Sequence, residues 1–185
     1  TYASIDEVEE VFRQFIAALP ANGLLVVGPD PRAQRVAAGA PCAVRVVGDV
    51  DGAWAHVDDH TLVLAAGNRV ALDLAAPGAH NRENAACAIA LADWCGVPPA
   101  TAAARIAPFE GVGRRFEDKG TVGGVRLVDD YAHHPVEVAA TLAAARSVHD
   151  GRIVAVFQPH LFSRTRALAQ EFGEALSSAD IVVVT

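Results

Sequence analysis

The chain has 185 residues, 52% of them apolar and 20% charged, enough for one sizeable domain or two small ones with a true core. A formal net charge of −7 argues against nucleic acid or an acidic membrane surface as a general partner, since either favours a face rich in Lys and Arg. Lys119 is the only lysine, so any anion the chain handles must be met by local arginines and histidines.

Ser4 to Leu19 sets Val8, Val11, Phe12, Phe15, Ile16 and Leu19 at helical spacing behind a Ser4/Glu7 capping pattern, which predicts one amphipathic helix. Leu24 to Val27 reads as a buried strand that runs into a turn at Gly28-Pro29-Asp30-Pro31. Short strands are predicted at Ala43 to Val47, Ala53 to Val57, Thr61 to Ala65 and Arg69 to Leu74. Helices follow at Asn81 to Cys95 and Pro99 to Ile106. Glycine and charge cluster from Glu110 to Gly124, and a domain boundary is expected near Phe116 to Lys119. Beyond it, strands at Val125 to Val128, Ile153 to Phe157 and Ile181 to Val184 alternate with helices near Pro135 to Ala145 and Arg166 to Leu176. That alternation predicts an α/β fold with a parallel, doubly wound sheet, whose ligand sites gather at the carboxyl ends of its strands.

Cys42, Cys87 and Cys95 show no zinc-type pairing. Cys87 and Cys95 lie roughly 12 Å apart along their helix, too far to bridge, so a reducing compartment is expected. There is no basic-then-apolar leader, and no apolar run approaches the roughly 20 residues of a membrane span, so the expected location is the cytoplasm, with no membrane partner. The chain opens at Thr1, holds no methionine and stops just after a strand-like run, and is expected to be a segment of a longer protein.

Four motifs carry the chemistry, each at a helix start or a strand end. In Gly78-Ala79-His80-Asn81-Arg82-Glu83-Asn84, the carboxamides of Asn81 and Asn84 stand three apart and suit a purine edge, or else Asn81 caps the helix. Gly111-Val112-Gly113-Arg114-Arg115-Phe116 offers two planar guanidinium forks to phosphate oxygens, or is an exposed basic turn. In Val128-Asp129-Asp130-Tyr131-Ala132-His133-His134-Pro135, Asp130 can accept from ribose hydroxyls. There His133 or His134 can meet a carboxylate or a metal, unless these residues serve as helix caps. Gln158-Pro159-His160-Leu161-Phe162-Ser163-Arg164-Thr165-Arg166 makes a compact cationic loop for a carboxylate or a phosphate.

In this order the four motifs resemble the Mur ligase family, closely from about Gly78 onward and more loosely before it. The resemblance implies ATP-dependent ligation of L-alanine to UDP-N-acetylmuramate through an acyl phosphate, in cell-wall precursor synthesis. It implies that residues 1–117 are the later part of the central ATP-binding domain and residues 118–185 the start of a Rossmann-like C-terminal domain. By position, Asn81 and Asn84 then contact adenine, Arg115 the ATP phosphate and Asp130 the ribose. Tyr131, His133, His160 and Arg164 line the alanine and acyl-phosphate side, with Arg115, His133, His160 and Arg164 taking part in catalysis. Many members carry arginine where this chain has Leu161, so a cationic contact there does not carry over.

The family's glycine-rich loop ending in Gly-Lys-Thr is not among these residues, nor are the central-domain ligands for Mg2+, so both are expected before Thr1, as is the UDP-sugar domain. The segment alone is then expected to be inactive. Rival readings are a ligase that recycles murein peptides onto the same sugar nucleotide, against which the Gln158-Pro159-His160 loop counts, and a non-catalytic nucleotide-binding module with a degenerate ligase fold. No oligomeric state follows from the sequence.

Overall fold

Ser4 begins the first helix, α1 (Ile5–Ala17), its hydroxyl accepting from the amide of Glu7 at 3.3 Å, with Asp6 and Glu7 set favourably against the positive end of the helix dipole. The structure is a computed structural model that describes residues 4–185; residues 1–3, at the head of the first predicted domain, lie outside the described residues. Strand β1 (Leu24–Val27) pairs in parallel with β2 (Ala43–Val46), and the crossover between them is a helix, α2 (Pro31–Ala37). The sequence reading saw only a turn there. The same residues form a helix start: the Asp30 carboxylate accepts from the amides of Arg32 and Ala33 at 2.7 and 3.1 Å, and Pro31 fills the first helical position. Seven residues are too few for apolar periodicity to announce the helix.

Strands β3 (Ala55–Asp58), β4 (Thr61–Leu64) and β5 (Arg69–Ala71) form an antiparallel meander. Leu62 and Leu72 pack with Ala86, Ile89 and Ala90 of α3 (Ala79–Trp94) and with Ala102 and Ala103 of α4 (Pro99–Ile106). Arg45 on β2 secures the last turn of α3. Its guanidinium lies 4.8 Å from the Trp54 ring and 5.7 Å from the Trp94 ring, donates to the Ala90 carbonyl at 2.7 Å and pairs with Asp93 at 2.8 Å. Burial, then the charge of Glu83, pushes the Cys87 thiol above its ordinary pKa, and the side chain packs against this same core.

The second compact unit opens with an antiparallel hairpin, β6 (Glu117–Val122) and β7 (Val125–Asp129), turned by Gly123 and Gly124, both at positive φ. Strand β6 has no sequence signature because it is exposed and charged, with Asp118 paired to Arg126 across the ladder at 2.8 Å. Helix α5 (Pro135–Val148) leads to β8 (Val154–Phe157), then α6 (Phe162–Ala167), α7 (Ala169–Leu176) and β9 (Ile181–Val184). Val138 and Leu142 of α5 pack with Phe157, Phe172, Ala175 and Leu176.

The α/β class stands, but its pairing is mixed. Strands β8 and β9 are parallel, whereas β7 bonds only to β6, and a cavity of about 180 Å³, lined in part by Val128, Val154, Val156 and Phe157, separates β7 from β8. The chain divides into two compact units. One runs up to Asp73 and includes Arg82–Pro108; the other comprises Leu74–Asn81 and Phe109–Thr185, so the turn Gly111 to Phe116 belongs with the second. No helix of the described residues is long and apolar enough to cross a membrane.

Two outcomes follow from these contacts. Arg45→Ala should lower the urea stability of the 185-residue chain by about 1–3 kcal/mol, read from the emission of its two tryptophans, Trp54 and Trp94; an unchanged midpoint would remove Arg45 from the account. Asp180 accepts from the Ile153 amide at 2.7 Å and pairs with Arg146 at 2.6 Å, and these two contacts, in that order, hold its carboxyl below the ordinary value of 3.8. A depressed carboxyl stabilises the fold above its unfolded pKa and loses that contribution as pH falls through the folded one. The stability gap between wild type and Asp180→Asn should therefore be widest above about pH 4 and close on acidification. A gap that ignores pH would contradict it.

Candidate functional site

The turn before β6 holds two unusual residues. Arg114 and Phe116 adopt φ of 60° and 50°, left-handed conformations that cost an L-residue about 1–2 kcal/mol each, so the surroundings must hold them. The Arg114 amide donates to Glu117 Oε2 at 2.8 Å, and the Arg114 carbonyl accepts from the Tyr131 amide at 2.8 Å. The Phe116 amide donates to Asp130 Oδ2 at 2.8 Å. The Arg114 guanidinium lies 4.6 Å from the Tyr131 ring and 3.4 Å from Asp129. Asp130, at the end of β7, also accepts from the Ala132 amide through Oδ1 at 2.7 Å, so both of its oxygens are tied to backbone while further lone pairs remain.

Three residues on, the start of α5 organises the histidines. His134 is the N-cap, its Nδ1 accepting from the Val136 amide at 3.4 Å, and Pro135 occupies the first turn. Glu137 completes the capping box, accepting from the amides of His133 and His134 at 2.9 and 3.2 Å. Its carboxylate also lies 3.4 Å from His133 Nδ1 and 3.8 Å from Arg115 Nη1. Burial raises the Glu137 pKa, but the His133 amide, the charges of His133 and Arg115, and the His134 amide together bring it below the ordinary carboxylate value. His133 Nδ1 sits 2.9 Å from the Tyr131 carbonyl, which can only accept, so Nδ1 is the donor in this contact, and in the neutral ring Nε2 is then an acceptor. The structure thus separates two histidines that the sequence could not: His134 caps, and His133 keeps a free ring nitrogen.

Arg164, on α6, donates to the His133 carbonyl at 3.4 Å. His160 is exposed in the loop after β8 and makes no hydrogen bond to this group among the described residues. Asn81 and Asn84 are placed by the first turns of α3. Asn81 Nδ2 donates back to the Pro77 carbonyl at 2.6 Å and Asn84 is exposed, so Asn81 braces the segment before the helix rather than capping its amides. That segment needs Gly78: at φ 102° a Cβ would fall 2.7 Å from the His80 ring and 3.1 Å from Ala144.

The second unit therefore sets Arg115 and His133 against one carboxylate that sequence reasoning missed, Glu137, with Tyr131 and Arg164 against His133 and Asp130 on the turn that carries Arg115. The signal for Glu137 was present, an acid three residues after a helix cap, but that pattern reads as capping alone. The arrangement offers two guanidinium forks to an anion, a carboxylate to hydroxyl donors and one ring nitrogen to a proton. No group of three or more His, Cys, Asp or Glu among the described residues could hold a metal ion.

Residues 114–185, beginning within the turn just described, match the family model described as Mur ligase, glutamate ligase domain. The whole chain aligns with the UDP-N-acetylmuramate–L-alanine ligase of Rubrobacter xylanophilus, 47% identical over 191 residues and covering 43% of that protein. Among solved structures it resembles the UDP-N-acetylmuramate–alanine ligase of Thermotoga maritima, with a TM-score of 0.73 and 25% identity over 98% of this chain and 41% of that one. It also shares its fold with the murein peptide ligase of Psychrobacter arcticus, with a TM-score of 0.64 and 20% identity over 100% of this chain and 48% of that one. The chain spans about two fifths of the curated relatives it matches. A domain match that starts at Arg114 and a likeness to alanine ligases along the full 185 residues lead to one conclusion: residues 114–185 form a Mur ligase, glutamate ligase domain, and the chain as a whole is similar to part of the UDP-N-acetylmuramate–L-alanine ligases.

Proposed function

We propose that the full-length protein carrying this chain joins L-alanine to UDP-N-acetylmuramate with ATP, through an acyl phosphate, in the cytoplasmic synthesis of peptidoglycan precursors. The observation that carries the reading is the linked group Arg115, Glu137, His133 and Arg164, in which the Arg115 guanidinium and the His133 ring lie against the Glu137 carboxylate and the Arg164 guanidinium lies against the His133 carbonyl. Residues 1–117 then belong to the central domain and residues 118–185 to the amino-acid-binding domain. Identity to alanine ligases at 47% favours alanine over a murein peptide, since the likeness to the murein peptide ligase speaks for the fold alone.

In this reading Asn81 and Asn84 meet the adenine edge, Asp130 the ribose hydroxyls and Arg115 the phosphate. Phosphoryl transfer depends chiefly on positioning and charge neutralisation, and a guanidinium held from two sides is suited to that work. Alanine offers a carboxylate and an amine. Arg164 and His160 bind the carboxylate, Tyr131 and His133 border the acyl-phosphate side, and the acceptor nitrogen of His133 can hold the proton that the attacking amine sheds. ATP chemistry implies Mg2+, for which the described residues offer no cluster of three or more ligands, and no step is assigned to it.

The 185-residue chain alone should release no phosphate from ATP in the presence of UDP-N-acetylmuramate and alanine, because it contains no Gly-Lys-Thr loop. Sustained release dependent on both substrates would contradict this. In the full-length protein, phosphate release should require both substrates, and Arg164→Ala should raise the KM for alanine roughly ten- to hundred-fold, the loss of one charge-assisted hydrogen bond, with the KM for ATP nearly unchanged. A variant impaired mainly toward ATP would move Arg164 to the nucleotide side.

A further inference from the structure

The turn that carries Arg115 does not hold its shape unaided. Arg115 lies between two left-handed residues, Arg114 and Phe116, and L-residues leave that region unless something fixes them. Arg114 is fixed by Glu117 and by the Tyr131 amide. For Phe116 the fixing bond is its amide to Asp130 Oδ2, at 2.8 Å. Asp130 is itself immobilised by the Ala132 amide at 2.7 Å, so the Phe116 side of the turn is fastened to the end of β7 through the Asp130 carboxylate, as the Arg114 side is through the Tyr131 amide. A group needed only for ribose hydroxyls would have no use for the Phe116 amide, which lies fourteen residues away in sequence.

We infer that Asp130 is a positioning residue for Arg115. Its carboxylate sets the backbone that aims the guanidinium, while Glu137, 3.8 Å from the tip, restrains the far end. The inference rests on the reading that Arg115 meets the ATP phosphate. Ribose hydroxyls can bond to the remaining lone pairs of Asp130 without displacing the two amides, so one carboxylate seats the nucleoside and aims the phosphate contact together. A nucleotide lacking the 2′- and 3′-hydroxyls loses the seat but keeps the aim.

A kcat-against-KM split in the full-length enzyme tests this. Seating ribose affects the KM for ATP, whereas positioning Arg115 affects kcat at saturating substrates. Asp130→Asn should lower kcat about tenfold or more, and in an Arg115→Ala background the same change should lower it less than about threefold, because the group being positioned is gone. Losses that multiply would overturn the inference and leave the ribose role standing. An Arg115→Ala variant with normal kcat would instead overturn the phosphate reading of Arg115 itself, and the inference with it. Phe116→Gly gives a second line that does not depend on Asp130→Asn folding alone, since glycine takes a left-handed φ without support. In that background Asp130→Asn should again cost less than about threefold in kcat, and a tenfold loss there would overturn the inference.

Discussion

Where β7 ends, the backbone amides that follow lose their ladder partners just as the chain passes a turn with two left-handed residues. Asp130 meets both demands with one carboxylate, accepting from Ala132 on its own strand end and from Phe116 in the turn. Buried or half-buried amides must find acceptors, and a short side chain at a strand end reaches two of them at little entropic cost. The rest of the group takes its place from this tie. Arg114 lies against Tyr131, the Tyr131 carbonyl orders the His133 ring, and Arg115 projects toward the start of α5.

The second constraint is the helix start. Glu137 satisfies two amides that would otherwise be unpaired, and its remaining charge is shared with His133 and Arg115. A chain with a net charge of −7 thus sets Arg114 and Arg115 close to carboxylates, Asp129 and Glu137, which orient them. The family likeness gives this geometry its chemical meaning. Ligases of this kind bring together charged groups that repel one another, and they need cations held in place rather than cations in excess.

Much of the fold was legible in the sequence because apolar periodicity is strong in α1 and unbroken apolar runs mark β1, β8 and β9. Helix α2 and strand β6 were not legible, for opposite reasons. The first is short and opens on the same Pro and Asp that mark turns, and the second is exposed along nearly its whole length and charged at half of its residues. The mixed pairing of the second unit was also out of reach, since periodicity identifies β7 and β8 as strands without saying that a cavity separates them. The motifs at the strand ends were readable as dense polar runs with no packing reason to be there. Which histidine caps and which keeps a free nitrogen depends on distances of a few ångströms. Glu137 was hidden because its local pattern already had a sufficient structural explanation.

Exchange of single backbone amides with solvent, measured in the full-length protein without ligands, reports on the central tie more directly than activity does. The account predicts that the Phe116 and Ala132 amides are protected in the wild type. It predicts that both become fast-exchanging in Asp130→Ala, while amides of the α5 interior keep their protection. Equal exchange at Phe116 in the two proteins would contradict it, and would mean that the turn around Arg115 is held by something other than the carboxylate of Asp130.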